Sequence, residues 1–132
     1  MAINYNFRNE TAGQDQRSLS ADTTLTVSDS GKTIFLDAVG EAILLPAPTA
    51  NVKYKFCVTA AVITSAWTIA ATGALIYGSV TEAGLVQLSS AETTITIVHT
   101  KAIPGDWITL ESDGTNWYLA GQLSVAASLT TA

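Results

Sequence analysis

The chain has 132 residues, of which 48 % are hydrophobic and 13 % charged, and it carries a net charge of −5 at pH 7. That length and apolar share fit one domain with one core, and they exclude an intrinsically disordered chain, which needs low hydrophobicity and high charge. One Cys and one His exclude an intramolecular disulfide framework and a His/Cys zinc cluster, and six basic against eleven acidic residues argue against a nucleic-acid-binding surface.

The N-terminus, MAINYNFRNE, lacks the basic and apolar regions of a secretory signal peptide. Ile3, Tyr5 and Phe7 alternate with polar residues, and both arginines, Arg8 and Arg17, lie in the first twenty positions. Asn9 to Ser20 is polar and without period. Residues 1–20 therefore read as an extended N-terminal arm with no core of its own. Ile3, Tyr5, Phe7, Arg8 and Arg17 are the candidate partner-binding residues of that arm, which can add as an edge strand to another protein.

From Asp22 onward short β-like runs alternate with turn signals. Thr23–Val27 leads into the turn Ser28-Asp29-Ser30-Gly31, and Lys32–Asp37 follows. Ala42–Leu45 stops at Pro46-Ala47-Pro48, because proline lacks the N–H that a central strand needs. Val52–Ala60, Trp67–Ala70, Leu75–Tyr77, Leu85–Leu88 and Thr93–Val98 come next. Trp107–Glu111 and Asn116–Gly121 flank Asp113-Gly114, the strongest hairpin signal in the chain. Phe56 to Thr81 contains no charge and is long enough to span a bilayer. Its Thr, Ser and Gly content and the period-two flank Val52–Phe56 favour buried strands over a membrane helix. Strands at this spacing predict an all-β fold: a single antiparallel β-sandwich or jelly-roll-like barrel over residues 21–124. Residues 125–132, small and uncharged, read as a loosely held C-terminal tail.

Chemistry-bearing residues are sparse. His99 stands alone at the end of a strand, exposed or satisfied locally, and Cys57 reads as a small buried hydrophobe, with Lys55 two positions away on its face. The carboxylates Asp22, Asp29, Asp37, Glu41, Glu82, Glu92, Asp106, Glu111 and Asp113 fall mostly at turns and strand ends, where Asp stabilises turns. Phosphate-loop, dinucleotide, nucleophile-elbow and EF-hand patterns are absent. No catalytic, cofactor-binding or metal-ligating residue is expected, and the chain reads as non-enzymatic. Tyr77, Trp107, Trp117 and Tyr118 form a candidate surface aromatic site for stacking on sugars, with core and cross-strand packing as the plainer use of the same residues.

The run Ser28-Asp29-Ser30-Gly31-Lys32-Thr33 precedes an apolar strand and then Leu45-Pro46-Ala47-Pro48. Trp67-Thr68-Ile69 follows, and Gly105-Asp106-Trp107 leads to Ser112-Asp113-Gly114-Thr115-Asn116-Trp117-Tyr118. Over residues 22–123 this order resembles the capsid decoration (cement) proteins of tailed bacteriophages. The resemblance implies a structural virion protein, commonly a homotrimer, clamped on the outer capsid surface with the major capsid protein as partner. No cofactor, nucleic-acid or membrane partner is expected. Residues 1–20 match no motif of that family. Phage fibre domains use similar endings, so a fibre or tip domain binding host-surface glycans is the alternative.

Overall fold

A computed structural model describes residues 16–19, 21–37, 39–60 and 65–132. Apart from one 3-10 turn at Val27–Asp29, every regular element among these residues is a strand. In chain order these are β1 (Gln16–Ser18), β2 (Thr23–Thr24), β3 (Thr33–Leu36), β4 (Ala42–Leu44), β5 (Lys53–Val58), β6 (Trp67–Ala70) and β7 (Ile76–Glu82). The rest are β8 (Leu85–Glu92), β9 (Thr94–Ile97), β10 (Trp107–Ser112), β11 (Trp117–Leu123) and β12 (Leu129–Thr131). They form a larger sheet in the order β1-β3-β5-β10-β11-β7-β8 and a smaller one in the order β12-β9-β6-β4-β2.

Alternation makes these strands. In β5, Lys53 and Lys55 are exposed while Tyr54, Phe56 and Val58 are buried; in β10, Ile108, Leu110 and Ser112 are buried. Successive side chains of a strand point to opposite faces, so each such run has an apolar side that water drives inward. The inward residues of both sheets belong to one buried cluster, including Ile34, Phe56 and Trp117 from the larger sheet and Ile43, Trp67 and Ile69 from the smaller. Trp117 stacks on Tyr54 at 5.8 Å between ring centroids. The Tyr54 hydroxyl donates to the Thr26 carbonyl at 2.6 Å, which satisfies the polar tip of an otherwise buried ring.

The all-β expectation agrees with this structure, but the antiparallel one does not. Both sheets are mixed: β1–β3, β3–β5 and β7–β11 pair parallel in one, and β2–β4 and β4–β6 in the other. A parallel pair needs a crossover, usually an α-helix. Here a strand of the opposite sheet does that work. Between β1 and β6 the chain passes to the other sheet at every strand, so same-sheet neighbours keep one direction. Period-two patterning reveals that a segment is a strand but not which neighbour it pairs with. Neither sheet closes into a barrel; the rims are β1 and β8 in the larger sheet and β12 and β2 in the smaller.

The Asp113-Gly114 hairpin forms as expected, with Ser112 opposite Trp117. Gly114 takes φ +98°, and the Asp113 carboxylate accepts the N–H groups of Thr115 and Asn116, both at 2.8 Å. The C-terminal tail is a correction. Residues 129–131 are β12, paired with β9, and Ser128 and Leu129 are buried. The buried Glu82 carboxylate holds this segment, accepting the Ala127 N–H at 2.9 Å and the Leu129 N–H at 2.6 Å. At the other end, Gln16–Ser18 belong to the larger sheet and Leu19 is buried, so the domain begins earlier than residue 21.

Candidate functional site

The outward face of the larger sheet gathers most of the residues with something to offer a partner. In register across its strands, Phe35 lies opposite Cys57 and Cys57 opposite Trp107. One row along, Lys55 lies opposite Thr109 and Thr109 opposite Ala120. The next row sets Lys53, Glu111, Tyr118 and Tyr77 side by side. Lys55 Nζ sits 5.3 Å from the Trp107 ring centroid, a cation–π contact at the surface. Lys32, Lys53 and Lys55 line one groove of about 340 Å³ with Glu111, a local basic concentration on an acidic chain.

The four aromatic residues singled out in the sequence do not form one site. Tyr77 and Tyr118 stack at 6.3 Å with 28° between their planes, and Tyr118 is 45 % exposed. Trp107 is half-buried and partnered by Lys55 on the neighbouring strand. Trp117 is fully buried against Tyr54 and leaves the candidate surface altogether. Its neighbour Tyr118 points the other way because adjacent strand residues alternate faces. The Tyr118 hydroxyl donates to Asp113 at 2.9 Å, and this bond pushes the phenol above its ordinary value. The Asp113 carboxyl is held low by the Asn116 and Thr115 backbone N–H groups and by that hydroxyl.

Ile3, Tyr5, Phe7 and Arg8 lie outside the described residues. Arg17 lies in β1, opposite Ile34 of β3. Cys57 is half-buried rather than buried, and it lies on the outward face with Lys55, as its spacing implies. His99 is also half-buried, and its Nδ1 is shielded without a hydrogen-bond partner, unlike the exposed or satisfied histidine expected.

The buried carboxylates are structural. Burial would push the Asp29 carboxyl up, but the Lys32 ammonium at 2.9 Å and the Thr26 N–H and hydroxyl outweigh it and hold it at about 2. Asp106 accepts from the Ile103 and Ser124 backbones and the Ser124 hydroxyl. Among the described residues no group of three or more His, Cys, Asp or Glu side chains is placed to hold a metal, and no helix is long and apolar enough to cross a membrane.

Sequence reasoning found β8 as a strand but missed its surface. Leu85, Val86 and Leu88 are exposed there on an outermost strand. The available signal was the absence of charge from Ala83 to Ala91 beside a run of apolar residues. No protein-family model, curated protein or solved structure matches this chain.

Proposed function

We propose that this chain is a structural virion protein, a decoration or cement protein that binds the outer surface of a tailed-phage capsid as a homotrimer and stabilises the shell. On this reading the two sheets are the layers of a β-sandwich of jelly-roll-like outline, and residues 1–15 are a docking arm. The observation that carries it is the position of β1, the outermost strand of the larger sheet. The segment bearing Ile3, Tyr5, Phe7 and Arg8 is thus tethered to a core-bearing scaffold at a sheet rim. An extended segment so tethered gains main-chain hydrogen bonds and apolar anchors by pairing with a capsid strand. Copies held around a threefold axis multiply such contacts through effective concentration. A net charge of −5 suits a surface facing away from packaged DNA.

The test is deletion of residues 2–15, which leaves β1 in place, followed by co-sedimentation with expanded empty capsids. The expected result is at least a tenfold loss of affinity with an unchanged far-ultraviolet spectrum. Unchanged affinity overturns arm docking.

A second reading, a fibre or tip domain that binds host-surface glycans, is favoured by the exposed Tyr77–Tyr118 stack beside Asp113, since sugar rings stack on such faces. A glycan array comparing the native chain with Tyr118→Ala separates the two. Trp117→Ala is no control here, because that ring is in the core.

A further inference from the structure

The strand β8 is a sheet edge without the usual protection. β7 covers one side, and no strand of the described residues covers the other. An open row of backbone N–H and C=O groups templates pairing with another chain, and proteins blunt such edges with charge, proline or short strands. The other three rims are short: β2 has two residues, β1 and β12 three each. β8 has eight, with no charge or proline between Glu82 and Glu92. It carries the most exposed large apolar side chains of the described residues, Leu85 at 71 %, Val86 at 67 % and Leu88 at 66 %.

Backbone geometry identifies the free groups. Glu82 lies opposite Leu85 across the two-residue turn Ala83-Gly84, whose φ angles are 49° and 84°. Residues flanking such a turn form a hydrogen-bonded pair, and bonded and non-bonded pairs then alternate along the hairpin. Leu85, Gln87 and Ser89 therefore direct their backbone groups to β7, and Val86, Leu88 and Ser90 direct theirs outward.

We propose that β8 is a self-association edge, pairing antiparallel with β8 of a second copy about a two-fold axis through Gln87. In that register Val86 lies opposite Leu88 of the partner subunit, and each such pair exchanges both of its backbone hydrogen bonds. The same pairing brings Val86 and Leu88 of both copies together on one face of the joined sheet. Charge favours a second copy as occupant. The chain is net negative, and this edge lets two copies meet without setting free carboxylates opposite each other. Glu82 is turned inward onto the Ala127 and Leu129 backbone, and Glu92 lies at the far end of β8, beyond the register shift between Ile76 and Gly78. The pairing does not depend on the capsid reading. Combined with a threefold axis elsewhere, it builds a hexamer.

Sedimentation velocity on the full chain tests it, alongside Val86→Lys and Leu88→Lys. The native chain is expected to run as an even-numbered species, and either substitution to halve its mass without changing the far-ultraviolet spectrum. A native monomer or trimer, or a mass that neither variant changes, overturns the proposal. A monomer that dimerises only after deletion of residues 2–15 also overturns it, since the chain's own N-terminal segment then covers the edge. The register has its own measurement. At the centre of the pairing the two Gln87 residues form a non-hydrogen-bonded pair, whose Cα atoms lie about 4.5 Å apart, within disulfide reach. Gln87→Cys in a Cys57→Ser background should give a disulfide-linked dimer on mild oxidation, and Ser90→Cys in the same background should not. Cross-linking at Ser90 alone, or at neither position, overturns the stated pairing.

Discussion

From Gln16 to Ala70 the chain winds, and from Ile76 to Leu123 it mostly folds back on itself. In the first half Gln16 lies opposite Thr33 and Thr33 opposite Lys55, while Thr23 lies opposite Ile43 and Ala42 opposite Thr68. In the second half β7 and β8 meet across Ala83-Gly84, and β10 and β11 across Asp113–Asn116. The contrast separates two ways of setting strand register. A hairpin takes its register from the turn. A wound coil has no such local device, so its register depends on which side chains fit the shared core. The halves are stitched together by β5–β10 and β6–β9 pairing.

The largest effects test whether the stitching makes one cooperative unit. Trp67 anchors the wound half and Trp117 the hairpin half, and both are fully buried. Trp67→Ala and Trp117→Ala should each cost about 3–5 kcal/mol. Urea unfolding followed by far-ultraviolet circular dichroism and by tryptophan fluorescence should give coincident transitions in both variants. Two separated steps would mean that the halves melt independently.

Next in size is the parallel seam between β7 and β11. Gly78 has φ +130°, and a methyl group there would run into the Leu119 carbonyl. Gly78→Ala should cost about 2–4 kcal/mol, combining backbone strain with a clash against backbone that cannot move aside. Gly31, in the wound half, has φ +86° but open space around it. Gly31→Ala should cost about 1 kcal/mol, from strain alone. Denaturant midpoints of the two variants measure the gap.

The same contrast explains what could be read in the sequence. Asp113-Gly114 announces its hairpin because Gly accepts the positive φ and Asp binds the backbone two and three residues on. The strand at Lys53–Val58 is legible from its alternation. The parallel neighbours were not legible, since Thr33 and Lys55 have no local signal that joins them. Ala83-Gly84 was missed as a turn because Ala is a poor residue for φ 49°. The tail was misjudged because Glu82, a distant charged residue, supplies its anchor. Trp117 and Tyr118 were grouped as one surface although adjacent strand residues face opposite ways. Alternation foretold which of the pair would be buried only once the inward face was known.

An effect of intermediate size separates the halves by pH. In the wound half the Asp29 carboxyl titrates at about 2, against an ordinary value of 3.8. A depressed folded value means stability that is present above the unfolded value and lost as pH falls through the folded one. Asp29 thus contributes about 2 kcal/mol above pH 4, lost between about pH 4 and pH 2. Asp29→Asn keeps an acceptor for the Thr26 N–H and removes the charge. The stability difference between native chain and variant should therefore shrink by about that amount over the window, as urea titrations at stepped pH would record. A constant difference would mean that the Lys32 contact does not hold the carboxyl low.

The hairpin half offers the exposed counterpart, with the smallest expected effect on folding. Asp113 is also held low, first by the Asn116 and Thr115 N–H groups and then by the Tyr118 hydroxyl. Tyr118→Phe removes the last of these and leaves the two backbone donors and the Tyr77 stacking face in place. The Asp113 titration midpoint, followed by carboxyl NMR shifts, should rise without returning to the ordinary carboxylate value. Because the group is at the surface, the melting temperature should stay where it is. A midpoint that returns fully would show that the turn's own N–H groups do little, and that the tyrosine alone shapes this carboxylate. A midpoint that does not move would detach Asp113 from the aromatic pair, and with it the polar part of the face on which the glycan reading stands.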